Sequence, residues 1–359
     1  MVCGKRGGQG RDAGKKCEKI HTPKRRRIWH SAKGPNEEDM LLFKYVSPDS
    51  VGKVFERDNE VLIRFGLPKS YNDPYELFLE PDRPLESEEL RAFYNHFLGK
   101  VVEAPVACFS RRPDSVVMWA HYGREGAGIC LALDEDELVE QFPIAYAGDI
   151  SYSNGPAKVP SWVVEYAFTT AKRRHTLRLL EIGHRAAYFM KRADWQYEAE
   201  RRIVVPPDAV EDREGVLIGH VSPKTLRYVI AGPKTKPDAK ELCLERTRKW
   251  NIPLIDLRIG SRTFAPFFTG SDIPARTWSG TNFEKIADVC EECGEPSNLS
   301  ESRKCQWCDI SKEVKESAPR RSGLTVSLSL GIDKGIPLAF DKMEPGGHLV
   351  SKLRKQNLE

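Results

Sequence analysis

Short apolar runs bounded by turn residues dominate the first half of the chain, and such runs are typical of buried strands. Four of them predict strands: residues 40–46, 61–68, 104–110 and 128–134. Residues 86–102 differ, because their apolar side chains recur at helical spacing behind an acidic first turn. That stretch therefore predicts a helix.

The second half of the chain combines longer helical periods with further strands. Residues 160–193 form the longest helical stretch, with Gly183 as a candidate break. A second helix is predicted over 239–251, and strands are predicted over 200–207, over 226–233 and directly after the second helix. Because strands and helices do not alternate strictly, we expect an α+β fold with a mixed sheet and helices packed on it.

Composition divides the chain into five parts. A disordered basic tail is expected over residues 1–38, and the main α+β domain over 39–260. Residues 261–285 are rich in Gly and Thr without a clear period, so they predict a linker. A small zinc-ribbon-like module is predicted over 286–312, followed by a C-terminal extension over 313–359.

Positive charge is concentrated in the tail. Residues 1–34 carry eleven Lys or Arg and two acids, a net +9, whereas the whole chain carries +4, so the remainder carries −5. Such a tail fits either a solvated extension or contact with a nucleic-acid backbone. No long apolar run is present, so neither a membrane span nor a secretory signal is predicted, and we expect a cytoplasmic protein.

Four of the nine cysteines follow the pattern C-x2-C, eleven residues, C-x2-C: Cys290, Cys293, Cys305 and Cys308. Each close pair can turn two sulfurs toward one ion, and two pairs complete a tetrahedral site. Structural zinc is the predicted cofactor, because four thiolates leave no open position. An iron–sulfur cluster and a set of inert or redox thiols are the alternatives. Lys304 and Trp307 inside the module could contact nucleic acid.

Residues 71–76 (YNDPYE) predict a turn. Pro74 fixes φ and removes a backbone donor, while Asn72 and Asp73 can fold their side chains onto nearby backbone groups. The turn is acidic and lies between two tyrosines, a composition that suggests one wall of a ligand cleft.

Residues 195–205 (WQYEAERRIVV) add charge of both signs. Alternation along a strand would place Glu198, Glu200 and Arg202 on one face. Such groups are costly to bury unpaired, so they either pair with each other or line a cleft. We therefore predict a cleft between this face and the 71–76 turn, and we expect alanine at Asp73 or Glu200 to spare folding and abolish activity.

Residues 41–258 resemble a bacterial family catalogued as domain of unknown function 2971. The resemblance rests on segments that occur in this order: LLFKYVS, YNDPYE, CFS…MWAHYG…GICLALD, WQYEAERRI and VIAGP. The basic tail and the cysteine module lie outside it. The family name implies no activity.

The order of elements is also similar to the ADP-ribosyltransferase pattern, in which successive strands carry Arg or His, then Ser or Tyr, then Glu. This resemblance implies an NAD cofactor and a catalytic Glu200, with Glu198 beside it. The first position departs from the pattern, because Tyr45 follows Lys44 where Arg or His is expected, and His121 is the candidate substitute. The candidate cofactor-binding residues are Tyr45, Asn72, Asp73, Ser110, Trp119, Tyr122 and Arg202.

Two other functions fit the same residues. One is a non-enzymatic module with structural zinc that binds a small ligand in the cleft and nucleic acid through the tail and the zinc module. The other is a divalent-metal hydrolase that uses Asp73, Glu76, Glu198 and Glu200, since oxygen-rich sites suit Mg²⁺ or Mn²⁺. Trp119 and Trp195 also fit the role of core anchors.

Overall fold

The computed structural model describes residues 40–101, 103–261, 263–271 and 273–318. Its strands are β1 (Leu41–Val46), β2 (Val61–Phe65), β3 (Leu79–Pro81), β4 (Val106–Ser110), β5 (Ile129–Asp134), β6 (Tyr146–Asp149), β7 (Ser151–Ser153), β8 (Ala157–Val159), β9 (Met190–Arg192), β10 (Glu200–Val204), β11 (Glu211–Arg213), β12 (Val216–Val221), β13 (Leu226–Ala231), β14 (Leu254–Ile259), β15 (Pro266–Thr269), β16 (Arg276–Trp278) and β17 (Phe283–Lys285). Its α-helices are α1 (Val51–Val54), α2 (Glu88–Leu98), α3 (Val116–His121), α4 (Glu135–Glu140), α5 (Ser161–Thr170), α6 (Arg173–Tyr188), α7 (Pro237–Trp250) and α8 (Lys312–Ser317). The predicted tail and most of the predicted C-terminal extension lie outside the described residues.

A mixed ten-stranded sheet is the centre of the fold, in the order β17-β16-β15-β14-β13-β5-β1-β4-β10-β6. Its neighbouring strands are antiparallel except β13 and β14, which are parallel and are connected through α7. The predicted α+β class and the predicted strands at β1, β2, β4, β5, β10, β13 and β14 are confirmed. Every residue of β5 is buried, which explains the unbroken apolar run in its sequence.

The two faces of the sheet are covered by different elements. A three-stranded sheet, β11-β12-β2, packs with α1, α4 and α7 over one face and encloses the largest core cluster. On the other face, Trp119 of α3 and the β16–β17 hairpin cover the middle strands. Helices α2, α5 and α6 enclose a separate core with β3 and β8. The candidate site lies on the second face, where β10 and β4 meet α6.

The break in the long helical stretch is not at Gly183. The chain turns between α5 and α6 at Ala171, which takes a left-handed conformation with φ of 49°. Gly183 lies inside α6, and a Cβ there would be 2.4 Å from a ring carbon of Phe97. Close packing of α2 against α6 therefore explains this glycine, and the interpretation of it as a break was wrong.

Residues 261–285 contain β15, β16 and β17, where the composition predicts a linker. These three strands extend the sheet beyond β14. Aromatic side chains hold them in place: the Trp278 ring centroid lies 4.9 Å from that of Phe43 in β1, and the Phe283 centroid lies 4.9 Å from that of Phe268. The strands are only three or four residues long, which is too short for a period to show in the sequence.

None of the described helices is long and apolar enough to cross a membrane.

Candidate functional site

The 71–76 turn is fixed to the sheet at both of its ends. The Tyr71 hydroxyl donates to the carbonyl of Val106 in β4 at 3.0 Å. The buried Asp73 carboxylate accepts from the backbone N–H of Tyr75 at 2.9 Å, as expected for an aspartate that shapes a turn. Tyr75 itself is exposed, so only the first tyrosine anchors the turn.

At the end of the turn, Glu76 pairs with Arg202 of β10. The Arg202 guanidinium has no solvent exposure, and one of its nitrogens lies 2.8 Å from Glu76 Oε2. A second nitrogen contacts the other oxygen of Glu76, and Nε lies 2.8 Å from Glu200 Oε1. The charged groups predicted on one strand face therefore pair with each other, and the turn completes the pairing.

Lys191 of β9 is the second buried cation. Its ammonium lies 2.6 Å from Glu198, 3.3 Å from Glu200 and 3.9 Å from Glu76. We call Glu76, Lys191, Glu198, Glu200 and Arg202 the charge cluster. Three carboxyls share two cations in it, and each of these side chains is at most 7% exposed.

Glu198 and Glu200 meet by a different route from the one predicted. Glu198 ends a 3-10 helix over Ala193–Glu198, and Ala199 then takes a left-handed conformation with φ of 42° before β10 begins. This conformation is uncommon for a residue with a Cβ and costs about 1–2 kcal/mol. It allows both carboxyls to contact Lys191, whereas strand alternation alone does not apply at Glu198.

The two carboxyls differ in acidity. Burial raises the pKa of Glu198, and the nearby Lys191 offsets this only in part. Burial also acts on Glu200, but Arg202 and Lys191 more than offset it and lower its pKa to about 2. Burial likewise opposes the charge of Lys191, yet Glu200 and Glu198 raise its pKa above the ordinary value. Pairs of carboxyls whose environments separate their pKa values are a common feature of acid–base sites.

An open groove of about 320 Å³ lies beside the charge cluster. It is lined by Asp73, Pro74, Tyr75, Arg192, Asp194, Trp195 and Tyr197. The chain alternates between the two: Lys191 and Glu198 point into the cluster, and their neighbours Arg192 and Tyr197 line the groove. The Lys191 ammonium lies 4.8 Å from the centre of the Trp195 ring, so Trp195 belongs to the groove wall and also covers the cluster.

Two predicted residues of α3 reach this region. The Tyr122 hydroxyl donates to Glu198 Oε1, which connects the helix to the cluster. His121 is exposed, and its ring centroid lies 6.0 Å from that of Tyr197. Asn72 is exposed on the turn.

Three other predicted residues have structural contacts. Tyr45 packs edge to face against Trp119 at 5.1 Å and donates its hydroxyl to the carbonyl of Arg112. Trp119 is buried, and its indole N–H donates to the carbonyl of Pro113. Ser110 lies opposite Glu200 in the strand register, and its hydroxyl donates to the carbonyl of Glu198 at 2.7 Å.

Cys108 lies next to the cluster on β4. Burial, reinforced by the nearby Glu200 carboxylate, raises its pKa to about 12. The thiol therefore stays protonated at neutral pH, which does not suit a nucleophile.

The four cysteines of the predicted module form a second candidate site. Their Sγ atoms all lie within 4.8 Å of one another, and Cys293 Sγ is 3.9 Å from Cys305 Sγ. Tetrahedral zinc with Zn–S bonds of about 2.3 Å places its sulfurs about 3.8 Å apart, so the cluster is consistent with structural zinc. Gly294 has φ of 70° and donates its N–H to the carbonyl of Cys290, as a tight turn between ligands requires.

The cations of this module have partners within it. Lys304 lies 2.9 Å from Glu292, and Arg303 pairs with Glu291. Trp307 is half-exposed. The module therefore presents little unpaired positive charge.

Sequence reasoning missed Lys191 and the groove walls. Lys191 lies in a three-residue strand directly after α6, where neither length nor alternation distinguishes a buried lysine from an exposed one. Trp195 was interpreted as a core anchor, but it lines the groove together with Tyr197. The available signal was the density of aromatic and charged residues over 191–200.

Residues 118–203 match the model of a family described as protein of unknown function (DUF2971). The predicted resemblance is thus confirmed for this part of the chain. The matched segment includes Tyr122, Lys191, Glu198, Glu200 and Arg202, whereas the 71–76 turn lies before it. No curated protein and no solved structure matches the chain. The comparisons give no support to an ADP-ribosyltransferase relationship or to NAD.

The divalent-metal alternative gains no support from the geometry. In the described part of the chain, the four cysteines form the group of His, Cys, Asp or Glu side chains that could hold a metal ion. Glu76, Glu198 and Glu200 instead contact Lys191 or Arg202. Carboxylates that are already paired with buried cations are poor ligands for Mg²⁺.

Proposed function

We propose that the groove binds a nucleotide-type ligand, a ring joined to a sugar, and that Glu198 is the acid–base residue for cleavage of its glycosidic bond. The single observation that supports this most is the position of the charge cluster, buried directly beside an open groove with aromatic walls. A buried ion cluster contributes little to stability compared with apolar packing, so its presence next to a groove favours a chemical role.

The groove residues suit such a ligand. Tyr75, Trp195 and Tyr197 offer ring faces on which a base can stack. Arg192 lies 5.4 Å from the Tyr75 ring centre and can contact a phosphate, while Asp73 can accept from sugar hydroxyls.

Glu198 suits the acid–base role better than Glu200. Its raised pKa leaves it able to exchange a proton near neutral pH, whereas Glu200 remains ionised. The partly buried Tyr122 hydroxyl contacts Glu198 and lies next to the exposed His121, so a proton can reach the cluster from this side.

A narrower candidate is an NAD-consuming transferase. The observation that favours it is the adjacency of β1, β4 and β10, with Ser110 opposite Glu200. The positions of Tyr45 under Trp119 and of Ser110 against the Glu198 carbonyl do not favour it, because both side chains are already engaged.

The test measures thermal stability of the full chain with NAD, ADP-ribose or AMP, and release of nicotinamide or adenine by chromatography. We expect at least one ligand to stabilise the wild type, Trp195→Ala to abolish that shift, and Glu198→Gln to retain the shift but lose turnover. Glu165→Gln, which changes a carboxylate paired with Arg83 outside the groove, is the control. Identical responses of wild type and Trp195→Ala would exclude the groove as the site.

A further inference from the structure

The corner between α5 and α6 presents exposed aromatic rings beside a basic run. Trp162 and Tyr166 lie one helical turn apart on α5 and are 63% and 52% exposed. Lys172, Arg173 and Arg174 follow at the corner and are exposed as well. We call these five residues the corner surface. It is distinct from the groove and from the cysteine module.

The rings and the cations are held together by specific contacts. The His175 ring centroid lies 4.4 Å from that of Tyr166, and Nδ1 of His175 is 2.6 Å from the Thr170 hydroxyl. Arg174 Nε donates to His175 Nε2 at 3.0 Å. The first basic turn of α6 is thus fixed against the last turn of α5, so the aromatic and charged groups share one surface.

The charge of this surface is not neutralised. Among the residues that the structure describes, Lys172, Arg173 and Arg174 take part in no ion pair. By contrast, Arg178 further along α6 pairs with Glu181, and both Lys304 and Arg303 of the cysteine module have acidic partners. Unpaired cations next to exposed rings are suited to a partner that has both negative charge and aromatic faces.

We propose that the corner surface binds single-stranded nucleic acid. Trp162 and Tyr166 would stack on bases, and Lys172, Arg173 and Arg174 would contact phosphates. Four residues along a helix span about 6 Å, a spacing that allows the two rings to engage neighbouring bases of an extended strand. Bases of a duplex are already stacked, so the rings favour a single strand.

A membrane partner fits the surface less well. Helices that lie in a bilayer interface bury a continuous apolar face. Here the exposed rings carry polar N–H or O–H groups, and Glu165 and Thr170 lie between and beside them on α5.

Fluorescence anisotropy with a fluorescein-labelled 20-mer of dT at two salt concentrations tests the proposal in the full chain. We expect Trp162→Ala and Tyr166→Ala each to weaken binding by at least about 5-fold, the lower end for loss of a stacking ring. Replacing Lys172, Arg173 and Arg174 by Gln should reduce the dependence of log K on log salt by about 2, since each lost phosphate contact on a single strand removes about 0.7.

Two matched controls separate this surface from other sources of affinity. Trp307→Ala removes a similarly exposed ring from the cysteine module and should leave binding unchanged. Replacing Arg25, Arg26 and Arg27 by Gln removes three cations from the basic tail and measures its share of the salt dependence. Wild-type affinity in Trp162→Ala and Tyr166→Ala would overturn the proposal. So would binding that requires the same two rings on phosphatidylserine vesicles but not on the oligonucleotide.

Discussion

The guanidinium of Arg202 binds the carboxylate of Glu76, which lies 126 residues earlier in the chain. This contact closes the 71–76 turn onto β10 and places the turn's Asp73 and Tyr75 at the groove. The acidic turn therefore has a structural partner as well as an exposed edge. Because Arg202 has no solvent exposure, the pair also determines how stable the site is.

Removing the guanidinium should destabilise the protein strongly. Arg202→Met leaves the carboxylates of Glu76 and Glu200 buried without their main cation, and such losses cost about 3–5 kcal/mol. Urea unfolding followed by far-UV circular dichroism measures the change. Arg83→Met, which removes the surface partner of Glu165, should stay within about 1 kcal/mol of the wild type. Equal stability of Arg202→Met and wild type would show that the buried pairing does not form.

The charge cluster should also make stability depend on acid. The folded pKa of Glu200 is about 2, below its ordinary 4.5, so its contribution is fully present above pH 4.5 and is lost as pH falls toward 2. A shift of this size corresponds to up to about 3 kcal/mol. We therefore expect Glu200→Gln to be less stable at pH 7 and to lose less stability than the wild type between pH 4.5 and pH 2.

Urea midpoints at pH 7, 4.5 and 3 provide the comparison. Glu198 is the control, because its pKa is raised and it titrates above this window. Glu198→Gln should therefore keep the acid slope of the wild type below pH 4.5. Parallel curves for wild type and Glu200→Gln would contradict the assignment. The result would also correct the expectation that alanine at Glu200 spares folding, since that change leaves Arg202 and Lys191 buried beside an empty position.

Local sequence patterns sufficed for elements whose signal is local. The buried run of β5 and the capped helix α2, where Ser87 accepts from the Leu90 N–H, follow from spacing and capping alone. The pairing of Glu76 with Arg202 was one of the predicted alternatives, but its choice depends on a contact across the fold. Lys191 could not be predicted, because its burial results from the position of β9 beside β7 and below Trp195.

Gly183 provides a test of helix packing. An alanine Cβ would lie 2.4 Å from the Phe97 ring, so Gly183→Ala should destabilise the protein by about 1–3 kcal/mol, the usual cost of overpacking a core. Gly52→Ala is the matched control, because nothing lies within 4 Å of its Cβ in α1. That change should be neutral or stabilise by about 0.4–1 kcal/mol. Differential scanning calorimetry of both variants measures this, and a neutral Gly183→Ala would show that α2 and α6 are packed less closely.

The cysteine cluster should bind one zinc ion per chain. Metal analysis of the purified protein tests this directly, and an iron–sulfur cluster would instead give iron and visible absorbance. Cys305→Ser should lose the metal, because it removes one of four ligands whose Sγ atoms lie within 4.8 Å of one another. Cys243→Ala, at a buried cysteine of α7 outside the cluster, should retain it.

Loss of the metal should unfold the module without unfolding the sheet. Metal binding and folding are coupled in small thiolate sites, so hydrogen exchange in residues 286–312 should rise sharply in Cys305→Ser. The effect should extend to Ser261, whose N–H and hydroxyl both donate to Glu295 of the module at 3.0 and 2.8 Å. Protection in β1 should not change, because β1 is paired on both sides within the main sheet. Wild-type protection of residues 286–312 in the metal-free variant would mean that the four cysteines are held together by the chain itself and that the ion is not structural.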